Sequence, residues 1–286
     1  MFLDLDGNVI DYFNGSEDLS NKMIRFVGNP SERIREDYLR IFRYFRFYVR
    51  YGCHTKHDPC TLDAIKENKD GLKGISGERI WAELKKILSY EKCDSIMAIM
   101  MNDLGISPFM GFLTKTIDLK EFTRTHASLF SDGPKATFEP VTLLSSMLSS
   151  EEEHMKVTQR LKLSNFERDV AFFILSNRDS ASSVTLDSLK RSLALTHKSE
   201  QRVKLLLILQ FLRYINSYDL LKEIESWTIP EFPLRGDALK HKVKKPKNMT
   251  PLMNHLKQVW AENNFQLNPD TIDKIADEFL DKFLNK

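Results

Sequence analysis

Apolar and polar residues between Asn29 and Arg50 recur with a helical beat. At about 100° per residue, Ile34, Tyr38, Ile41, Phe45 and Tyr48 share one stripe. Asn29 can cap, Pro30 suits the first helical position, and Glu32 lies three residues past the cap, so the segment predicts a single helix over 29–50. Its other side carries Asp37, Arg40, Arg43 and Arg46, one carboxylate followed by three guanidiniums at a step of three. Leu39 and Phe47 interrupt that polar side and are expected to pack against a sheet.

Residues 1–28 have a β pattern. Phe2, Leu3 and Leu5 precede the turn Asp6-Gly7-Asn8, Val9 and Ile10 follow it, and Met23 to Val27 is a candidate further strand. So little sheet cannot stand alone and is expected to be the tail end of a larger one. After Gly28 the periodicity is helical almost to Lys286. Helices are predicted over Cys60–Glu67, Asp94–Asp103 and Ser76–Tyr90, the last capped by Ser76 and presenting Ile80, Trp81, Leu84, Ile87 and Leu88. Arg202–Tyr214 has the composition of a buried core helix. Asp58-Pro59, Thr250-Pro251 and Asn268-Pro269 each look like a cap followed by a first-turn proline, the last two opening helices over Pro251–Asn263 and Pro269–Asn285. The fold class is mainly α with a small N-terminal β-hairpin. Boundaries are expected at the Pro/Gly stretch Ile106–Leu113 and near Ser217.

Composition narrows the function. With 286 residues, 42% hydrophobic and 29% charged, the chain has the balance of a globular protein. A net charge of +2 means that nucleic-acid binding must come from local basic patches rather than a bulk field. Three cysteines, an odd and small number, point to a reducing compartment. No run has the apolar length of a membrane span, and the acidic start M-F-L-D-L-D-G argues against a targeting leader at Met1.

Four groupings carry candidate chemistry. Asp accepts and Arg is a planar fork of donors, so the Asp37, Arg40, Arg43 and Arg46 column can match a base edge and its phosphates; the alternative is a salt-bridged surface face. Lys240, Lys242, Lys244, Lys245 and Lys247 crowd into eight residues, either a solvated face or an RNA contact. Cys53-His54-x-x-His57-x-x-Cys60 has zinc-like spacing, but Asp58-Pro59 starts a helix and one loop would have to supply every ligand; no metal is expected there. Asp4-Leu5-Asp6-Gly7 is formally D-x-D and is similar to a phosphatase nucleophile motif, yet a D-G hairpin turn explains it without chemistry.

The run E-D-Y-L-R-I-F-R-Y-F-R-F (Glu36 to Phe47) resembles the nucleotide-selecting motif of class II CCA-adding enzymes, the tRNA nucleotidyltransferases, in their animal form. Tyr12 to Gly28 is similar to that family's hinge motif, and G-I-S-G-E-R-I-W-A-E-L-K-K-I-L (Gly74 to Leu88) to its neck motif. The resemblance implies C, C and A addition to the tRNA 3′ end from CTP and ATP with Mg2+. It implies nucleotide-binding roles for Asp37, Arg40, Arg43 and Arg46, hinge roles for Asp18, Lys22 and Arg25, and a structural role for Glu78 and Arg79, holding helix ends against the template helix. The lysine run would lie along the tRNA elbow. The implied layout is a remnant of the nucleotidyltransferase palm over 1–29, a neck over 30–105, a helical body over 106–216 and a tail over 217–286. The family's metal-binding D-x-D and Gly-Gly phosphate loop are not found, so no residue here is assigned as catalytic and the chain is expected to be N-terminally truncated and inactive alone. Animal relatives imply mitochondrion, cytoplasm or nucleus. Other readings are a non-catalytic RNA-binding isoform or fragment, a bacterial-type poly(A) polymerase relative, and a phosphatase built on Asp4 and Asp6. Oligomeric state is left open.

Overall fold

A computed structural model describes residues 1–52, 56–130, 138–243 and 246–284, which fall into two compact units. Unit 1 comprises Met1–Asp179 with Arg213–Asn216, and unit 2 Ser180–Leu212 with Ser217–Lys286. The described structure is mainly helical with one two-stranded sheet, as the periodicity predicts.

In unit 1, β1 (Phe2–Leu3) pairs antiparallel with β2 (Val9–Ile10), Phe2 opposite Ile10 and Leu3 opposite Val9. Gly7 turns the hairpin at φ 85°, where a Cβ would be strained. The expected strand over Met23–Val27 does not form, and part of the supposed β region is instead α1 (Gly15–Ser20). Asp11 nucleates that helix, its two carboxylate oxygens accepting from the Gly15 and Ser16 amides, each at 2.8 Å. Local side-chain bonding has overridden the strand pattern.

The single helix expected over 29–50 is two helices with a break. Asn29 caps α2 (Pro30–Glu36), its side chain accepting from the Glu32 amide at 3.2 Å. Asp37 then swings to φ −155°, ψ 103°, and α3 runs over Arg40–Phe47 before a π-helical turn at Tyr48–Gly52. The break has a local cause: Asp37 Oδ1 accepts from the Leu39 amide at 3.1 Å, an alternative to helical bonding that aspartate offers. Leu39 is buried. Phe47 is not: it is 41% exposed, with the Arg46 guanidinium 4.4 Å from its ring centroid.

Next come α4 (Pro59–Asn68), capped by Asp58, and α5 (Gly77–Leu88). The α2 helix packs on α4 and α3 packs on α5, burying Ile34, Ile41, Phe42, Phe45, Ile80, Leu84 and Ile87 completely. Ser76 holds the N-cap position of α5 but makes no capping hydrogen bond, contrary to expectation. Then follow α6 (Cys93–Ala98), continuing as a π-helical turn to Asp103, α7 (Lys120–Phe130), α8 (Pro140–Ser145), α9 (Glu151–Leu161) and α10 (Asn165–Asn177). The α5 helix also contacts α8 and α9.

A buried carboxylate ties α10 to α5. Glu167 closes a capping box with Ser164 and accepts from Trp81 Nε1 at 2.9 Å and Lys85 Nζ at 3.2 Å. Burial pushes its pKa upward, but the bonds from the Ser164 amide, Trp81, the Ser164 hydroxyl and Lys85 outweigh this and hold it below the ordinary 4.5. A depressed acid contributes stability that is present above its unfolded pKa and lost as pH falls through its folded one. Glu167→Gln is therefore expected to cost about 1–3 kcal/mol at neutral pH. In urea melts across pH, the gap between variant and parent should shrink as acid is added below the ordinary carboxylate range.

Unit 2 holds α11 (Leu186–Leu195), most of α12 (Gln201–Tyr214), α13 (Tyr218–Ser226), α14 (Met249–Glu262) and α15 (Pro269–Leu284). The second half of α12 is buried as expected, while Val203 and Leu206 on its first half stay exposed. The α14 helix begins at Met249, straight out of a 3-10 turn at Pro246–Asn248, rather than at Pro251; proline is tolerated in a first turn that needs no amide donors. Leu252 and Leu256 of α14 pack with Ala276 and Leu280 of α15 and with Leu239. Among the described residues no helix is long and apolar enough to cross a membrane.

Candidate functional site

The break between α2 and α3 places Asp37 at one end of the arginine column and turns its carboxylate toward α5. Arg79 Nη2 donates to Asp37 Oδ1 at 3.1 Å and to Oδ2 at 2.9 Å. With the Leu39 amide, Oδ1 then has two donors and Oδ2 one. An ionised carboxylate has about four acceptor sites, so Oδ2 keeps room for one more donor. Arg43 stands 3.8 Å from Oδ2 and 4.0 Å from Glu83, beyond hydrogen-bond reach of either, and is the least engaged member of the column.

The other two arginines are more firmly held. Arg40 Nη1 donates to Glu36 at 2.6 Å and to the Arg33 carbonyl at 2.7 Å. Arg46 donates to Glu83, whose side chain is 8% exposed and also meets Lys86. All four predicted side chains thus have charged partners, but none is fully buried: Asp37 keeps 24%, Arg40 25%, Arg43 44% and Arg46 19% side-chain exposure. They form an open, pre-aligned face of alternating charge rather than a sealed internal network.

The sequence pattern does not single out Glu83, and the resemblance implies only a structural role for Arg79. Both lie on α5, four residues apart, with the arginine N-terminal to the glutamate. That order is the less favourable one within a helix. The pair faces outward to α3, Arg79 to Asp37 and Glu83 to Arg46 and Arg43. An acid and a base at this spacing beside the apolar positions Ile80 and Leu84 was the available signal.

Of the hinge residues, Asp18 and Arg25 come together at 2.8 Å, and the Asp18 carboxylate raises the Arg25 pKa. Lys22 sits between them in the left-handed region at φ 54°. In the lysine run, Lys244 and Lys245 lie outside the described residues. Lys240 pairs with Asp237, and Lys242 is 14% exposed and held by Asp277 at 2.8 Å and Asp273 at 3.3 Å. Lys247 is exposed.

The D-x-D of the hairpin is occupied structurally. Asp4 Oδ1 accepts from the Asp6 amide at 3.0 Å and the Asn8 amide at 2.7 Å, and Oδ2 from the Asn8 side chain at 3.0 Å. A turn acid with both oxygens so engaged does not fit as a magnesium ligand or a nucleophile, and no chemical step is assigned to it. Of the zinc-like cluster, Cys53 and His54 lie outside the described residues. His57 Nδ1 meets the Tyr44 hydroxyl at 2.8 Å and its ring stacks on Tyr48, while Cys60 is exposed.

Residues 56–107, which span α4 to α6, match the family described as "Probable RNA and SrmB- binding site of polymerase A". The chain is 40% identical over 276 residues to the mitochondrial CCA tRNA nucleotidyltransferase 1 of Homo sapiens, covering 95% of this chain and 62% of that protein. It is 36% identical to the one of Danio rerio, again over 95% of this chain and 63% of that protein. It thus spans about three-fifths of the curated relatives it matches. In fold it is similar to the Bacillus stearothermophilus CCA-adding enzyme in complex with CTP, with a TM-score of 0.72, 18% identity, and coverage of 99% of this chain and 72% of that one. The Thermotoga maritima CCA-adding enzyme complexed with tRNA matches with a TM-score of 0.60 at 16% identity, covering 94% and 67%.

Proposed function

We propose that the chain belongs to the CCA tRNA nucleotidyltransferase family over the part of those proteins that it spans, and that its protein adds C, C and A to the tRNA 3′ end from CTP and ATP. What carries the proposal is the Asp37 carboxylate, fixed by Arg79 and the Leu39 amide with a lone pair of Oδ2 still open. Cytosine and adenine both carry an exocyclic amine that can donate there; uracil presents an acceptor at the same edge. Arg40, at the start of α3, donates to a ring nitrogen or carbonyl, completing a two-point test of the base. Arg43 and Arg46 lie further along the helix, where the nucleotide's phosphates extend. The protein takes the part that a template strand takes elsewhere.

The segment around Asp18, Lys22 and Arg25 acts as the hinge that lets this face adjust between CTP and ATP. The tail contacts tRNA through phosphate and duplex shape, with Lys240, Lys242, Lys244, Lys245 and Lys247 as candidates. The layout is a palm remnant over 1–29, a neck over 30–105, a body over 106–216 and a tail over 217–286. Mg2+ belongs to the reaction of the whole enzyme. The compartment is the mitochondrion, the location in the names of the animal relatives.

The test is extension of a tRNA that ends before its CCA. The protein carrying this chain is expected to append two C residues and then A, leaving UTP and GTP unused. Addition of A alone, with CTP ignored, would make it a poly(A) polymerase relative, and binding without extension a non-catalytic RNA-binding protein.

A further inference from the structure

Unit 2 contains a cavity of about 380 Å³ whose lining comes from three distant stretches of the sequence. One wall is apolar, with Ile229, Pro230 and Phe232, and Phe232 meets the buried Trp260 edge to face at 5.4 Å. The lining also carries Lys257 of α14, Arg235 before the Gly236–Leu239 turn, Lys198 in the turn after α11, and the carboxylate of Glu231.

These cations differ from those of the lysine run. The ion pairs among the described residues of unit 2 join Lys198 to Glu231, Lys240 to Asp237, Lys242 to Asp273 and Asp277, and Lys274 to Glu278. Neither Lys257 nor Arg235 takes part. Lys257 is half-buried, and its described contact is a long one, 3.5 Å to the Leu195 carbonyl at the end of α11. Burial of the ammonium lowers its pKa, so the site would be stabilised by an anion. The conspicuous lysines are partly neutralised by neighbouring acids; in the cavity Glu231 answers Lys198, while Lys257 and Arg235 have no acidic partner among the described residues.

We propose that this cavity holds a phosphodiester of bound RNA between Lys257 and Arg235, with the adjoining ribose or base against Ile229 and Phe232. The inference rests on the RNA-binding reading above and adds a second contact, apart from the lysine run. Cations clamp the backbone and an aromatic wall receives the sugar or base, the combination that single-stranded or looped RNA uses.

The test measures tRNA binding to the 286-residue chain by fluorescence anisotropy across a salt series. Lys257→Gln and Arg235→Gln are each expected to weaken binding several-fold and to flatten the log K against log [salt] slope by about 1, while Lys257→Arg retains both. Unchanged affinity and slope in both glutamine variants, with parental binding intact, would overturn the cavity's role and leave the RNA reading standing. Failure of the parent to bind tRNA would sink both. A second measurement needs no variant: acetylation of Lys257 in the parent, followed by mass spectrometry, should be suppressed by tRNA and not by inorganic phosphate at matched phosphate concentration. Equal suppression by inorganic phosphate would reassign the cavity to a free anion.

Discussion

Gly77→Ala is expected to destabilise unit 1 by about 3 kcal/mol or more, read as a fall in urea midpoint. At an ordinary helical site the same change is favourable by up to about 1 kcal/mol, because glycine is the poorer helix former. The sign reverses at Gly77 because a Cβ there would lie 1.7 Å from the Arg160 carbonyl oxygen and 2.8 Å from its carbon. Those are backbone atoms of α9, so no side-chain rotation relieves the clash. Arg160 is also held in place, donating to the Leu72 carbonyl at 2.9 Å and the Ile75 carbonyl at 3.0 Å. The junction cannot open without losing bonds on both sides. Gly74→Ala is the control: a Cβ there meets nothing within 4 Å, and the change should stay within about 0.5 kcal/mol. The consequence reaches the site. Gly77 seats the first turn of α5 on α9, and Arg79 and Glu83 follow on the same helix, so the backbone contact sets where the arginine column finds its counter-charges.

Asp37→Asn is expected to erode the preference for CTP over UTP by about 1–3 kcal/mol, roughly five- to 150-fold in the ratio of affinities. An amide in place of the carboxylate presents a donor as well as an acceptor. It can satisfy the uracil carbonyl where the carboxylate would repel it, and it loses the charge that Arg79 and Arg43 face. Overall nucleotide affinity should fall less than the ratio does, since the arginines remain. Titration of the 286-residue chain with each nucleotide gives both quantities. An unchanged ratio would remove Asp37 from base reading, even if the variant bound all nucleotides more weakly.

The helices were largely legible because α3 and α5 keep strong apolar stripes and Asn29 and Asp58 are caps that the chain uses. What was not legible turned on single side chains competing with their own backbone. Asp37 breaks a helix that periodicity would have continued, Asp11 starts a helix inside a strand-like segment, and Ser76 stands at a cap position without capping. The arginine column could be read from spacing, but its geometry could not. Once the helix breaks at Asp37, the acid leaves the spiral and meets Arg79, a residue 42 positions away. In unit 2 the densest basic run is the most visible feature of the sequence, while Lys257 and Arg235, without acidic partners among the described residues, are brought together only by folding.

The most direct measurement is the structure of this chain with CTP bound. The account predicts the cytosine exocyclic amine within about 3 Å of Asp37 Oδ2, with the Arg79 contact retained and Arg40 reaching the ring. Cytosine found elsewhere, with Asp37 still engaged only by Arg79, Arg43 and the Leu39 amide, would contradict it.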